Sequence, residues 1–266
     1  MKGRRQEVRA MTIQEMKRRK QEWGYTYFQI AQLSGIPEET VQKIFEGNGG
    51  KVDYRVWNEL ENAFRDKMVV KEASAAYEVK RKPGSYTIED YRDLPDDVRV
   101  ELIDGYFYDM AAPTTFHQLM AAEVHRQIAN HIIDRDGNCT PFISPVDVQL
   151  DSDEKTMLQP DVVIVCDPKK IVRRNIMGAP DFVLEVVSPG TKRRDYIVKL
   201  AKYEQAKVRE YWIVDPYTQK VLVYFLEGEG EVSIYPIDAQ IPVNIFGGEL
   251  VLDFWRIAGW ARQKWD

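Results

Sequence analysis

Apolar residues along this chain keep two different periods, and the change from one to the other divides it. Over residues 13–64 they recur at helical spacing and predict helices over 13–23, 27–33, 37–47 and 52–64. Gly35 after Ser34 suits a left-handed helix end, and Pro37 followed by Glu38 and Glu39 suits a helix start. From residue 86 the pattern changes to short β-branched and aromatic runs set between turn residues. Thr87 and Asp90 have the spacing of a capping box and open a short helix that ends at Leu94-Pro95. Runs at 100–103 and 106–110 flank Asp104-Gly105, a strong two-residue hairpin signal. A helix over 115–133 follows, then strands over 142–150, 161–165, 182–187 and 211–214. A helix over 196–207 lies between the last two strands, which makes a strand-helix-strand crossover and hence some parallel pairing. A last hairpin, 220–226 with 231–235, turns on Gly228 and Gly230.

These elements imply a small all-α head at residues 1–73, a linker at 74–85 and an α/β body at 86–266. The linker holds the basic cluster Lys80-Arg81-Lys82 and the structure-breaking Pro83-Gly84-Ser85. In the head, Ala31, Gly35, Ile36, Val41 and Ile44 fall where a helix-turn-helix needs a small residue, a turn glycine and apolar contacts. Residues 25–47 resemble the Xre-type, phage-repressor-like helix-turn-helix family. By that resemblance Thr40, Gln42 and Lys43 would face DNA, helped by Arg18 and Arg19. Glu38 and Glu39 oppose phosphate at the same helix start, so a head used for dimerisation is the competing reading.

Charge adds an asymmetry to this division. The formal net charge is −5, of which residues 1–73 carry +3 and the remainder −8. A mildly basic head on an acidic body is compatible with nucleic-acid contact without requiring it. No stretch approaches the roughly 20 apolar residues of a membrane span, and residues 1–20 lack the apolar core of a signal peptide. Cys139 and Cys166 form no CxxC pair, so neither a disulfide framework nor a thiolate zinc site is suggested, and the expected compartment is a reducing cytoplasm.

The candidate chemistry lies between residues 160 and 203. Asp161 follows Pro160 and opens the run Val162-Val163-Ile164-Val165, while Glu185 stands inside an apolar strand. A carboxylate buried in such a strand needs a partner, and two of them at one sheet edge are best tolerated with a divalent cation or a proton between them. Asp195, Lys199 and Tyr203 follow at four-residue intervals. His117, His125 and His131 lack the spacing of a zinc pair and read as structural or solvated.

The segments Tyr86-Thr-Ile-Glu-Asp-Tyr-Arg-Asp-Leu-Pro95, Val100-Glu-Leu-Ile-Asp-Gly105, Pro160-Asp161, Glu185-Val-Val-Ser-Pro189, Asp195, Lys199, Tyr203 and Tyr211-Trp-Ile-Val-Asp-Pro216 resemble the Uma-type restriction endonucleases, a branch of the PD-(D/E)XK nuclease superfamily. The resemblance covers residues 86 to about 260. It implies a restriction-endonuclease-like fold, a mixed sheet flanked by helices, and Mg²⁺- or Mn²⁺-dependent hydrolysis of phosphodiester bonds in DNA. Asp161 and Glu185 would be the metal ligands and Glu101 an additional one.

The superfamily's third motif is acid, any residue, lysine, and here Val187 stands at the lysine position. This branch commonly carries the lysine on the next helix, which points to Lys199, with Tyr203 orienting it. Since lysine is no metal ligand, its loss would leave metal affinity intact. Lys192, in a Gly-Thr-Lys-Arg-Arg loop, is the competitor and suits a phosphate contact better. A homodimer is expected if both strands of a duplex are cut. The alternative function is a DNA-binding regulator that keeps an inactive nuclease fold as scaffold, a reading favoured by the valine at position 187.

Overall fold

The helical segment forms where its caps and spacing require it. The computed structural model of the chain describes residues 11–22, 25–47, 52–64, 84–95, 97–150, 154–227 and 231–265. The predicted linker therefore lies almost wholly outside the described residues, as do Gly228 and Gly230 of the last hairpin. The chain separates into two compact units: Met1–Val69 with Lys192–Ile197, and Val70–Thr191 with Val198–Asp266.

The first unit contains α1 (Ile13–Glu22), α2 (Tyr27–Ser34), α3 (Glu38–Glu46) and α4 (Tyr54–Phe64). Thr26 starts α2 through a reciprocal capping box with Gln29 that the sequence reading did not anticipate. Gly35, at φ +71°, ends α2 by donating its N–H to the Ala31 carbonyl. Met16, Ile30, Val41, Leu60 and Phe64 form a fully buried core. Ile197 packs against this core, and Arg193 Nε donates to the Tyr25 hydroxyl at 2.7 Å.

The second unit begins with α5 (Ile88–Arg92), β1 (Val100–Ile103), β2 (Tyr106–Asp109), α6 (Thr115–Asp134), β3 (Thr140–Ile143), β4 (Val148–Gln149), β5 (Met157–Leu158), β6 (Val162–Val165), β7 (Ile176–Met177) and β8 (Phe182–Val186). It continues with α7 (Leu200–Gln205), β9 (Glu210–Asp215), β10 (Lys220–Phe225), β11 (Glu231–Pro236), β12 (Gln240–Pro242), β13 (Val251–Asp253) and α8 (Phe254–Trp265). The larger sheet has the order β11-β10-β9-β8-β6-β3 and is mixed, because β8 and β9 are parallel while its other pairs are antiparallel.

Alternation sorts the residues of this sheet by face. Phe182, Leu184, Val186, Val162, Ile164 and Trp212 join α6 and α8 in the main core, and Met120, Val124, Ile128 and Ile132 line one side of α6 at four-residue spacing. On the opposite face, Tyr203 of α7 packs on Tyr211 of β9 with ring centroids 4.8 Å apart. The architecture is the expected mixed sheet flanked by helices.

Several expectations are corrected in detail. The strand expected over 142–150 is two strands in different sheets, β3 in the larger and β4 in the smaller, because Pro145 offers no N–H to a ladder and the chain turns there. A separate five-stranded sheet, β2-β1-β5-β4-β7, was not anticipated; its strands β4, β5 and β7 are two residues long, below the length at which periodicity can be read. The helix expected over 196–207 begins with π-helical winding at Arg194–Lys199 and becomes α-helical only at Leu200. Cys139 and Cys166 form a disulfide, contrary to expectation. The β3–β6 ladder pairs Thr140 with Val165 and so brings the flanking cysteines face to face, which removes the argument for a reducing compartment drawn from unpaired thiols.

Candidate active site

Strand alternation explains how a glutamate enters the interior. Leu184 and Val186 point into the main core, so Glu185 between them points to the other face of the sheet, where it is 4% exposed. Lys199 and Tyr203, one helical turn apart, meet it there. Lys199 Nζ lies 2.8 Å from Glu185 Oε1, and the Tyr203 hydroxyl donates to the same oxygen at 3.0 Å. The same Nζ lies 2.8 Å from Oε1 of Glu101, which comes from β1 of the other sheet and is 1% exposed. Two carboxylate oxygens from two sheets are thus no further apart than twice that length, with one buried ammonium between them.

Physical chemistry fixes the roles of these groups. An unpaired buried carboxylate is costly, and a shared ammonium with further hydrogen-bond donors offsets that cost. Tyr203 supplies one such donor to Glu185, and the Gln159 backbone N–H supplies another to Glu101 Oε1 at 3.1 Å. Burial, ahead of the negative charge on Glu185, raises the Tyr203 hydroxyl well above its ordinary range and keeps it a donor.

Asp161 stands one residue beyond the paired Val162 and Leu184, at the position facing Glu185. Its Oδ2 accepts the Val186 N–H at 2.7 Å and lies 3.1 Å from His117 Nε2. Its Oδ1 has no hydrogen bond or ion pair among the described residues. Asp195, the remaining member of the acidic series, falls in the segment grouped with the helical unit, whereas Lys199 and Tyr203 belong to the larger one. Among the described residues no group of three or more His, Cys, Asp or Glu is gathered closely enough to hold a metal ion. The donor chemistry nevertheless suits a hard divalent cation: Glu101, Glu185 and Asp161 are all carboxylates, and Asp161 Oδ1 has no partner among the described residues.

His117, Gln159, Tyr91, Asp147 and Lys202 were not anticipated as part of this region. His117 reaches Asp161 from α6, and Lys202 on α7 pairs with Asp104 in the β1–β2 turn at 2.6 Å. Only Gln159 carried any signal, by standing next to Pro160-Asp161. Lys199, the residue set against Val187 in the sequence, meets both Glu101 and Glu185 in space.

The residues proposed for DNA contact are partly engaged within the chain. Lys43 pairs with Glu39 at 2.6 Å, and Gln42 donates to Glu46 at 2.7 Å. Arg18 and Arg19 both pair with Glu15, and Arg19 also donates to the Phe64 carbonyl at 2.8 Å. Thr40 is half-buried, and Lys192 sits over the Tyr196 ring with its Nζ 5.7 Å from the centroid. Surface pairs of this kind are worth ~1 kcal/mol or less.

Comparison with known proteins places the chain in a family. The model of the family described as "Uma2: Putative restriction endonuclease" matches residues 88–254. An uncharacterized protein of Synechocystis sp. (strain ATCC 27184 / PCC 6803 / Kazusa), slr1290, is 24% identical over 156 residues, which cover 58% of this chain and 80% of the relative. A crystal structure described as that of a putative nuclease belonging to DUF820 from Anabaena variabilis ATCC 29413 superposes with a TM-score of 0.54 at 21% identity. It covers 65% of this chain and 98% of its own. That likeness concerns the fold, and every residue of the Glu101, Glu185, Lys199 and Tyr203 cluster lies within the stretch matched by the family model.

Proposed function

Since this chain belongs to the Uma2 family, we propose that it is a PD-(D/E)XK-type endonuclease that hydrolyses phosphodiester bonds in DNA with Mg²⁺ or Mn²⁺, directed or dimerised by its helical head. The observation that supports this reading best is Lys199, buried within 2.8 Å of both Glu101 and Glu185. Asp161 and Glu185 would hold the cation, with Glu101 in reach as a further ligand. When bound, the cation supplies positive charge at the scissile phosphate and makes a nearby water more acidic. Lys199 orients the attacking water and offsets the negative charge that develops on the phosphorane oxygens. Tyr203 keeps Glu185 in one orientation through its hydrogen bond to Oε1.

In the head, Thr40, Gln42, Lys43, Arg18 and Arg19 would contact DNA, with Lys192 adding a phosphate contact from its own loop. A homodimer would present two such sites to a duplex. No helix among the described residues is long and apolar enough to cross a membrane.

The test is incubation of the purified chain with supercoiled plasmid and short duplexes in Mg²⁺, Mn²⁺ or EDTA, beside Asp161→Asn and Glu185→Gln. Cleavage that needs the metal and is lost in both variants is expected. Wild-type cleavage in EDTA, or in either variant, would refute the assignment.

A further inference from the structure

The chain passes from the smaller sheet to the larger one through Gln159, Pro160 and Asp161, between β5 and β6. This short crossing touches both sides of the candidate site. The Gln159 N–H holds Oε1 of Glu101 at 3.1 Å, and two residues later Asp161 holds the Val186 N–H, directly after Glu185. The position of the crossing therefore sets how the Glu101 side of the site meets the Glu185 side.

A closed ring of hydrogen bonds anchors the crossing itself. The Gln159 side-chain amide donates to the Tyr91 hydroxyl at 2.9 Å and to Asp147 Oδ1 at 2.8 Å, and Tyr91 donates to the same Asp147 oxygen at 2.9 Å. Tyr91 comes from α5 and Asp147 from the residue before β4, so three separate segments meet on one glutamine. The ring fixes the orientation of the amide, because turning it over would set its oxygen against two acceptors. Gln159 Oε1 is consequently held in place although it is buried and has no hydrogen-bond partner among the described residues. Burial keeps Tyr91 protonated as the donor that closes the ring. A polar network of this kind, largely shielded from water, holds its three segments in a single arrangement.

We propose that Tyr91, Asp147 and Gln159 form a positioning unit that fixes the Glu101 carboxylate, and with it the placement of Glu101 beside Glu185 and Asp161 as a further ligand for a divalent cation. The assignment rests on the metal-dependent reading above. None of the three residues touches the reacting atoms; they act through the Gln159 backbone on Glu101. Their loss acts first on cation binding and on the metal concentration needed for cleavage.

The experiment is calorimetric titration of the full-length chain with Mn²⁺, together with the Mn²⁺ dependence of plasmid cleavage. Gln159→Met keeps the volume and removes both donors, and is expected to weaken Mn²⁺ binding about 10-fold or more, the usual scale for residues that orient a metal ligand. Asp147→Ala should act in the same direction. Asp147→Asn keeps the acceptor oxygen and should recover most of what Asp147→Ala loses, a rescue that a purely electrostatic role for Asp147 would not give. Tyr91→Phe deletes a single hydroxyl and carries the test if Gln159→Met does not fold. Val243→Ala, in the main core, provides a comparison at similar loss of melting temperature. Mn²⁺ binding unchanged in folded Gln159→Met or Tyr91→Phe, or weakened equally in Val243→Ala, overturns the positioning role. A wild-type chain that neither binds Mn²⁺ nor cuts DNA overturns the functional reading and this inference together.

Discussion

Replacing Lys199 with methionine removes a buried positive charge bonded to both Glu101 and Glu185 while keeping a side chain of similar length. Both carboxylates are at least 95% buried, so they lose an ammonium at 2.8 Å and gain nothing from water. Removing one partner of a buried ion pair costs about 3–5 kcal/mol. Mutual repulsion points the same way: two unit charges separated by twice 2.8 Å repel by roughly 3 kcal/mol at an effective dielectric of about 20. Lys199→Met is therefore expected to lower the unfolding free energy by about 3–5 kcal/mol without metal.

Sequence alone casts Lys199 as a bystander to metal binding, but its position between the carboxylates predicts that its removal tightens Mn²⁺ binding. Saturating Mn²⁺ should then restore part of the lost stability. Cleavage should nevertheless fall on the order of 10²-fold or more, because a positioned charge is missing from the transition state. Urea unfolding with and without Mn²⁺, and single-turnover cleavage at saturating enzyme, measure these quantities. Unchanged stability without metal would refute the ion-pair geometry. Normal cutting by Lys199→Met alongside loss of cutting in Lys192→Met would transfer the catalytic role to Lys192.

Three further expectations follow from particular contacts. Tyr203→Phe removes a donor to buried Glu185 and should cost about 1–3 kcal/mol. Because the hydroxyl's pKa is raised on folding, its contribution is complete below the ordinary tyrosine value and fades only as pH rises through the raised one; an equal cost at mildly acidic and mildly alkaline pH is predicted, and a cost that disappears as pH approaches 9 would contradict it. Gly105 has φ +79°, and a Cβ there would lie 2.5 Å from the Gly84 carbonyl oxygen, so Gly105→Ala should destabilise by more than about 1 kcal/mol in thermal unfolding; unchanged stability would mean that the turn relaxes freely. Gln42→Glu with Lys43→Glu should weaken duplex binding and flatten its dependence on salt; unchanged affinity and slope would assign the head to protein contact.

Local patterns, legible without any fold, determined the periodic helices, the capping box at Thr87, the turn at Asp104-Gly105 and the apolar strand around Glu185. Each depends on side chains within a few residues of one another, which is why spacing and cap chemistry suffice. The same reasoning fails for β4, β5 and β7, which are two residues long and owe their existence to neighbours in the sheet. It also fails for Cys139 and Cys166, which are 27 residues apart and meet only through the register of β3 and β6. The acids could be named from sequence because a charge in an apolar run is conspicuous. That Glu101 and Glu185 share one lysine, that Asp161 turns one oxygen to Val186 and His117, and that Gln159 ties Glu101 to Tyr91 and Asp147 was decided by the packing of two sheets. These contacts join residues 12 to 98 positions apart, and no periodicity along the chain encodes a distance in space.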